Sequence, residues 1–334
     1  MACLLLLFVS KIKAGDTPHD RIGVHDPVLI KQDCTYYLFT TGRGVSVWSS
    51  EDLMSWNRES PIFNKTPVWT TDSLSSFRGH FWAPDISFHN GKYYLYYSVS
   101  AFGKNTSCIG LATNKTLNPK DPEFYWEDHG AVICSTPNKD NWNAIDPNLI
   151  VSEDGIPYLF FGSFWDGLQV VRLTDDFKNC YTGDVPTTIA SRKSDRRAEN
   201  PQAIDNNPID AGGNAIEAPF VFKKDDFYYL FSSIDYCCKG IESTYKMIYG
   251  RSKNIKGPYF DKNGRDMLYG GGTILLKGDE KWHGVGHNAV IEDENINYLI
   301  FHGYDAQDEG KSKLRIYNLT WDEEKWPQIQ NSIY

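Results

Sequence analysis

A short motif returns five times along this chain, and each copy precedes a tyrosine-rich segment. The motif is a carboxylate or small residue, then proline, then an alternating apolar run, and its last copy is degenerate. Its copies occupy residues 25–30, 82–86, 143–150, 216–222 and 286–291, and the tyrosine-rich segments occupy residues 36–39, 93–96, 158–161, 228–231 and 298–301. A repeat of this kind constrains the fold more than any single motif does.

The period of the repeat predicts the architecture. Each unit runs over roughly 55–75 residues and consists of short alternating segments joined by turns, which is typical of a propeller blade with long loops. One such turn, Asn90-Gly91, is a strong two-residue hairpin signal. Because five units use nearly all of the 334 residues, we expect an all-β fold, a single five-bladed β-propeller over residues 15–334.

Three of the five motifs carry a carboxylate at or next to the start of their first strand. These are Asp26, Asp146 and Glu217, and a propeller would bring them together because equivalent positions of successive blades meet around one axis. A pair of carboxyl groups can cut a glycosidic bond, and a third can raise the pKa of the acid. An aspartate before proline is commonly only a turn initiator, but its recurrence in three repeats favours catalysis, with the longer Glu217 as proton donor.

Composition narrows the class of ligand. The formal net charge is −9 and dense Lys/Arg clusters are absent, which argues against nucleic acid or anionic lipid as a partner. The mean hydropathy of −0.46 and the lack of a long apolar run past the N-terminus argue against a membrane-spanning bundle. Aromatic residues make up 14% of the chain, and those not used in packing offer flat faces to the rings of a neutral sugar.

Several features indicate export from the cell. Residues 1–10 resemble the apolar core of a secretory signal, with a small-residue cleavage site near Ala14-Gly15, so we expect residues 1–14 to be removed and the protein to be secreted. A truncated gene start or a buried N-terminal strand are the alternatives. Four glycosylation acceptors, at Asn64, Asn105, Asn114 and Asn318, agree with export and predict a glycoprotein.

Six cysteines remain if Cys3 leaves with the signal, and an even number permits disulfides. They are Cys34, Cys108, Cys134, Cys180, Cys237 and Cys238. Their pairing cannot be read from spacing, and the neighbours Cys237 and Cys238 could bridge each other or pair elsewhere.

The motifs together resemble glycoside hydrolase family 43. The resemblance rests on His25-Asp26-Pro27, Trp82-Ala83-Pro84-Asp85, Ala144-Ile145-Asp146-Pro147-Asn148 and Ile216-Glu217-Ala218-Pro219-Phe220, in that order. It is closest to the endo-acting arabinan 1,5-α-L-arabinosidases and spans roughly residues 23 to 327. It implies a five-bladed propeller and an inverting mechanism, in which Asp26 is the general base, Glu217 the general acid, and Asp146 tunes and orients the acid. Inversion requires about 6.5–9.5 Å between base and acid.

The resemblance also implies ligand-binding residues. His287 matches a histidine near which family members hold a mostly water-coordinated calcium ion, although a lone histidine is more often a hydrogen-bonded core residue and calcium prefers oxygen ligands. Trp82 and Phe102 match aromatic residues that border the cleft, and Trp165 could stack on sugar in the same way. Cys237 and Cys238 fall in a segment that lies near the site in these enzymes.

The sequence therefore predicts a secreted, monomeric hydrolase that cuts internal α-1,5 links of arabinan, with no nucleic acid or membrane partner. An exo-acting arabinofuranosidase or β-xylosidase of the same family is the nearest alternative, because an added loop can close one end of a groove. A sugar-binding propeller without turnover is an alternative of another class, and the presence of all three carboxylates argues against it.

Overall fold

Five antiparallel sheets form a five-bladed β-propeller in a computed structural model that describes residues 17–18, 21–194 and 213–332. The predicted leader, residues 1–14, lies outside the described residues, as do residues 195–212. One strand of each blade includes residues of a copy of the sequence repeat, and the predicted five-bladed propeller is confirmed. Within the described ranges, no helix is long and apolar enough to cross a membrane.

The strands of each blade are hydrogen-bonded in a simple order. Blade 1 is β1-β6-β5-β3-β2, blade 2 is β10-β9-β8-β7-β4, and blades 3, 4 and 5 are β11 to β14, β15 to β18 and β19 to β22. The bounds are β1 Thr17–Pro18, β2 Val28–Gln32, β3 Thr35–Thr40, β4 Gly42–Arg43, β5 Ser46–Ser50, β6 Ser55–Arg58, β7 His80–His89, β8 Lys92–Val99, β9 Ser107–Asn114, β10 Glu127–Ser135, β11 Asn148–Val151, β12 Pro157–Phe161, β13 Leu168–Arg172, β14 Thr187–Ala190, β15 Ile216–Lys224, β16 Phe227–Ile234, β17 Lys246–Ser252, β18 Thr273–Lys277, β19 Trp282–Asp293, β20 Ile296–Asp305, β21 Lys311–Trp321 and β22 Pro327–Ser332. One short α-helix, α1, covers Val68–Ser73, and 3₁₀ turns cover Gly240–Glu242 and Met267–Tyr269.

The strands that begin at the repeat motif form an inner ring. β2, β7, β11, β15 and β19 each contact the next inner strand, and β19 returns to β2. Blade 5 packs on blade 1 through a shared apolar cluster that includes Leu38, Trp56 and Ile316, and the backbone N–H of Val24 donates to the carbonyl of Ser312 at 3.2 Å. The ring is therefore closed by apolar packing between the first and last blades.

The tyrosine-rich segments become the second strand of each blade. Both faces of these strands pack against neighbouring blades, so successive residues such as Leu95, Tyr96 and Tyr97 are all fully buried. This explains why the sequence there is continuously apolar or aromatic and does not alternate. At the predicted hairpin, Asn90 and Gly91 both have positive φ, as a type I′ turn requires.

One backbone feature recurs at the start of every inner strand. A non-glycine residue with φ between 43° and 56° occupies the equivalent position in each blade, namely Asp26, Ala83, Asp146, Ala218 and His287. A left-handed conformation costs roughly 1–2 kcal/mol for such a residue. In each case the backbone N–H donates, at 2.8–3.2 Å, to a side chain of the preceding blade; the acceptors are His302, Thr41, Ser98, Asp146 and Ser233, respectively. These hydrogen bonds offset the cost and fix the direction of the first side chains of each blade.

The structure pairs four of the six cysteines. Cys108 and Cys134 stand opposite each other on β9 and β10 and are bridged, and Cys237 and Cys238 form a bridge between adjacent residues. Cys34 and Cys180 are free thiols.

Two of the predicted glycosylation acceptors are wrong. Asn105 is fully buried, and its Nδ2 donates to the carbonyls of Asp140 and Trp142 at 3.0 and 3.2 Å. Asn114 is also buried, and its Oδ1 accepts from the backbone N–H of Tyr125. A glycan on either side chain is incompatible with this packing. Asn64 is exposed and Asn318 is half-buried.

Candidate active site

A cavity of about 600 Å³ opens where the inner strands begin. All nine residues selected from the sequence line it: the carboxylates Asp26, Asp146 and Glu217, the aromatic residues Trp82, Phe102 and Trp165, the cysteines Cys237 and Cys238, and His287. The three carboxylates reach the cavity because each lies at, or next to, the residue with positive φ near the start of an inner strand. The ring thus brings residues almost 200 positions apart in sequence into one site.

Three donors hold Asp26 as a carboxylate. Oδ1 lies 2.7 Å from Nδ1 of His25 and 3.0 Å from Nδ1 of His287, and the hydroxyl of Thr41 donates to Oδ2 at 2.5 Å. Burial by itself raises the pKa of a carboxyl group, but His25 and His287 outweigh it and hold the pKa of Asp26 well below its ordinary value. Asp26 is therefore ionised at neutral pH, as a group that takes a proton from water must be.

A third histidine fixes the backbone of Asp26 without adding charge. His302 is fully buried, and burial holds its pKa well below the ordinary value, so the ring is neutral. Its Nδ1 accepts a 3.2 Å hydrogen bond from the backbone N–H of Asp26. Since that nitrogen carries no proton, its 3.8 Å approach to Oδ1 of Asp26 is not an ion pair.

Asp146 is buried in a different electrostatic setting. Its Oδ2 accepts from the backbone N–H of Ala218 at 3.1 Å, and its own N–H donates to Oγ of Ser98 at 3.0 Å. Burial raises its pKa to about 8; His287 opposes this increase, while Glu217 and Asp26 add to it. The pKa values of two buried carboxyl groups in one cavity, Asp26 and Asp146, are thus shifted in opposite directions.

Glu217 is held from the preceding blade. The hydroxyl of Ser163 donates to its Oε2 at 2.7 Å, and the backbones of the two residues form an isolated antiparallel bridge. The next residue, Ala218, is the one whose N–H is bound by Asp146. Glu217 is half-buried and lines the cavity, so its carboxyl group is both oriented and accessible to a ligand.

His287 occupies the position equivalent to Asp26 and Asp146 in the fifth blade. Burial would lower its pKa, but the adjacent Asp26 carboxylate raises it to about 9. Calcium prefers oxygen ligands, so the ring nitrogen of His287 is a poor direct ligand for it. Within the described ranges, two groups of three close metal-ligand side chains occur, His25 with Cys237 and Cys238 and His25 with Asp26 and His302, and neither contains His287.

A hydrated cation fits this region better than a directly ligated one. Asn288 follows His287, is buried, and has no protein partner for either Oδ1 or Nδ2 of its side chain. Buried polar atoms of this kind are usually satisfied by ordered water or an ion. Calcium takes six to eight oxygen ligands and accepts waters and asparagine carbonyls among them. The donor set thus fits an ion that is bound mostly through water.

The three candidate stacking residues differ in exposure. Phe102 is 76% exposed, Trp82 is half-buried, and Trp165 is only 5% exposed. An exposed ring offers its face to a sugar, whereas a buried ring contributes mainly to packing. The geometry therefore favours Phe102 and Trp82 over Trp165 as contact surfaces.

The sequence reasoning missed the residues that position the carboxylates. In three blades the backbone N–H of the residue with positive φ donates to a hydroxyl of the preceding blade, on Thr41, Ser98 or Ser233. Each of these hydroxyl residues lies two positions after a tyrosine-rich segment, and this recurrence is visible in the sequence. Ser163 likewise lies two residues after its tyrosine-rich segment.

Comparison with known proteins identifies relatives over nearly the whole chain. The model of glycosyl hydrolases family 43 matches residues 18–327. The extracellular exo-α-(1→5)-L-arabinofuranosidase ArbA of Cellvibrio japonicus is 47% identical over 92% of this chain and 87% of its own length. The extracellular endo-α-(1→5)-L-arabinanase 1 of Bacillus subtilis is 42% identical over 91% of this chain and 87% of its own. The solved structure of Cellvibrio cellulosa α-L-arabinanase with arabinohexaose is 46% identical, covers 92% of this chain and 96% of its own, and superposes with a TM-score of 0.87.

Proposed function

The chain belongs to glycosyl hydrolases family 43, and we propose that it cleaves internal α-1,5-L-arabinofuranosidic bonds of arabinan with inversion of configuration. The observation that carries the proposal is the arrangement of Asp26 and Glu217 in one cavity. Asp26 is ionised by its histidine neighbours, and Glu217 is oriented by Ser163. A hydrolase of this class needs one ionised carboxylate and one oriented proton donor at the same linkage.

In the proposed mechanism Asp26 acts as the general base. Its Oδ1 is occupied by His25 and His287, and its Oδ2 accepts a hydrogen bond from Thr41. An ionised carboxylate oxygen has room for a further donor, so Oδ2 can take a proton from the attacking water. The proton moves to Asp26 as the water oxygen bonds to the anomeric carbon.

Glu217 acts as the general acid in the same step. It gives its proton to the glycosidic oxygen as the bond to the anomeric carbon breaks. Asp146 orients this acid, because it binds the N–H of Ala218 immediately after Glu217. It also places a carboxyl group near Glu217 in a buried setting, where like charges disfavour double ionisation.

The names of the relatives and the chemistry of the cavity support an arabinan substrate. Two relatives above 40% identity are named for α-(1→5)-arabinan cleavage, and a similar structure contains arabinohexaose. Exposed aromatic rings, Phe102 after β8 and Tyr236 after β16, line the cavity on blades that flank blade 3. A bound arabinan chain can stack its sugar rings on both side chains.

Exo action is the second candidate. The relative at 47% identity is named as an exo-acting enzyme, whereas the one at 42% is named as endo-acting. Products released from linear arabinan over time distinguish the two. A broad early distribution of oligosaccharides supports internal cleavage, and one product from the first minute contradicts it. Xylan serves as the control substrate and should not be cleaved.

The stereochemistry is tested by NMR during hydrolysis. An inverting enzyme first releases the β-anomer from an α-linked substrate, and a first product with the α-configuration contradicts the assignment of Asp26 as base. Binding of arabino-oligosaccharide without any hydrolysis would instead support a sugar-binding propeller.

Location, oligomeric state and metal content complete the proposal. The protein acts outside the cell, which agrees with the word extracellular in the names of two relatives. It acts there as a monomer. A calcium ion is held mostly through water near His287 and Asn288. When bound, the ion supplies positive charge that favours the ionised form of nearby carboxylates.

A further inference from the structure

We infer that His25 and Tyr304 are positioning residues for Asp26, and that they form a hydrogen-bond chain anchored at the bridge between Cys237 and Cys238. This inference rests on the proposed role of Asp26 as base. It assigns a task to two side chains outside the three carboxylates, and it gives the disulfide between adjacent residues a structural role beside Asp26.

Three hydrogen bonds make up the chain. The backbone N–H of Cys238 donates to Oη of Tyr304 at 2.8 Å, Oη lies 2.8 Å from Nε2 of His25, and Nδ1 of His25 lies 2.7 Å from Oδ1 of Asp26. Both ring nitrogens of His25 are therefore used. The hydrogen bonds thus run from a loop of blade 4, through the end of β20 in blade 5, to the residues just before β2 in blade 1.

The direction of the protons follows from the donors available. Tyr304 accepts from the N–H of Cys238, and a hydroxyl that accepts one hydrogen bond still has its own hydrogen to donate, here to Nε2 of His25. With Nε2 as an acceptor, the proton of His25 lies on Nδ1 and faces Asp26. An Nδ1–H donor at this distance favours the ionised form of the Asp26 carboxyl group.

Packing holds the chain in place. The ring of His25 stacks on that of His302 with centroids 4.0 Å apart, and Tyr304 is 4% exposed. At the outer end, Cys238 has a φ of 67° and Lys239 donates its N–H to Oγ of Ser243. A covalent ring between two adjacent residues restrains their backbone, so the N–H at the start of the chain has a fixed direction.

The expected benefit is geometric. A base must lie within hydrogen-bond reach of the attacking water, and small misplacements of a reacting group are costly in rate. Without His25, Oδ1 of Asp26 keeps only His287, and the carboxylate can rotate about its side-chain bonds. The chain should therefore affect turnover more than substrate binding.

Single substitutions test the chain on linear arabinan. Tyr304→Phe keeps the ring but removes the hydroxyl, and should lower kcat about 10-fold with KM within about twofold. His25→Ala removes a hydrogen bond to a charged group, which should lower kcat by about 10- to 100-fold. His25→Asn places a side-chain N–H near the position of Nδ1 and should recover most of that loss.

Tyr96→Phe is the matched control, since its buried hydroxyl donates to the carbonyl of Phe177 at 2.6 Å, remote from the site. Its kcat should stay within about twofold.

Coupling between the two residues separates positioning from general stability. If Tyr304 acts through His25, Tyr304→Phe should cause no further loss of kcat in the His25→Ala background. The loss should also persist on an aryl arabinofuranoside with a good leaving group, because water attack still needs the base. An NMR resonance of the His25 Nδ1 proton, visible without substrate, should shift in Tyr304→Phe.

Two results would overturn the inference. One is full kcat in Tyr304→Phe while the wild type is active on arabinan, and the other is additive losses in the double variant. If the wild type is inactive on arabinan but the His25 resonance shifts as expected in Tyr304→Phe, the proposed function is contradicted. The hydrogen-bond chain is then still supported.

Discussion

The hydroxyl of Ser163 donates a 2.7 Å hydrogen bond to Oε2 of Glu217, across the boundary between blades 3 and 4. The backbones of the same two residues also pair. Asp146, from the same blade as Ser163, binds the N–H of the residue after Glu217. The candidate acid is thus held by the preceding blade at its side chain and at its backbone, and its direction depends on how the two blades pack.

Ser163→Ala should lower kcat on linear arabinan by about 10-fold, because a freely rotating Glu217 delivers its proton less often along the productive direction. The loss corresponds to one hydrogen bond to a carboxyl group, about 1.5 kcal/mol. Steady-state kinetics measure it. Ser100→Ala is the control, since Ser100 lines the same cavity but bonds Ser107. Equal losses in the two variants would contradict a specific role for Ser163.

Glu217→Gln should reduce kcat on arabinan by about 10²–10⁴-fold, because the amide cannot give a proton to the leaving oxygen. On an aryl arabinofuranoside with a good leaving group, the loss should be much smaller. The ratio of the two losses is the measurement. Asp26→Asn provides the comparison, since its loss should be similar on both substrates. An equal loss on both substrates for Glu217→Gln would remove it from the acid role.

The repeat made much of this architecture predictable. Five copies of one motif predict five blades, and a ring brings Asp26, Asp146 and Glu217 to one cavity whatever lies between them. The Asn90-Gly91 hairpin was also readable, because that dipeptide tolerates positive φ at both positions. These features depend on local chemistry or on a period, both of which a single sequence contains.

Other features depend on contacts between blades and were not readable. Tyr304 reaches His25 across 279 positions of sequence, and nothing near either residue indicates the other. Asn105 and Asn114 match a glycosylation pattern, yet both side chains are buried and hydrogen-bonded to backbone groups. A tripeptide pattern reports the chemistry of a site and not its burial, so it could not separate these two from Asn64.

Phe102→Ala should weaken substrate binding, whereas Trp165→Ala should reduce the stability of the fold. Phe102 is 76% exposed, so its loss should raise KM for arabinan up to about 10-fold, as for one aromatic contact of 0.5–1.5 kcal/mol, and change stability by less than about 0.5 kcal/mol. Trp165 is buried, so its loss should reduce the free energy of unfolding by about 3–5 kcal/mol. Kinetics and denaturant unfolding measure both. A stable Trp165→Ala protein with raised KM would show that Trp165 contacts sugar.

Removal of calcium should lower the thermal midpoint and leave the proposed site near His287 and Asn288 filled by water alone. The expected change follows from mass action, because an ion that binds only the folded state stabilises it. Elemental analysis of dialysed protein and thermal unfolding with chelator or added calcium measure this. Asn288→Ala should abolish the calcium-dependent part of the midpoint. Metal-free protein whose midpoint and activity do not respond to calcium would contradict the proposal.

Asp85 should make stability fall as the pH rises from about 4 to 7. It is buried, accepts from the N–H of Leu149 at 2.7 Å, and has a pKa raised by burial from 3.8 to about 6. The folded state therefore holds its proton more tightly than the unfolded chain does, so stability present below pH 4 is lost as the pH rises through 6. Asp85→Asn stays neutral, so its free energy of unfolding relative to wild type should increase by about 3 kcal/mol between pH 4 and 7, at about 1.4 kcal/mol per pKa unit.

Urea unfolding of both proteins at each pH gives this difference, in which the contributions of other titrating groups cancel. Asp33→Asn, which makes the same substitution at an exposed turn, is the control. A pH-independent difference for Asp85→Asn would mean that Asp85 has the same pKa in the folded and unfolded states, and would contradict the prediction.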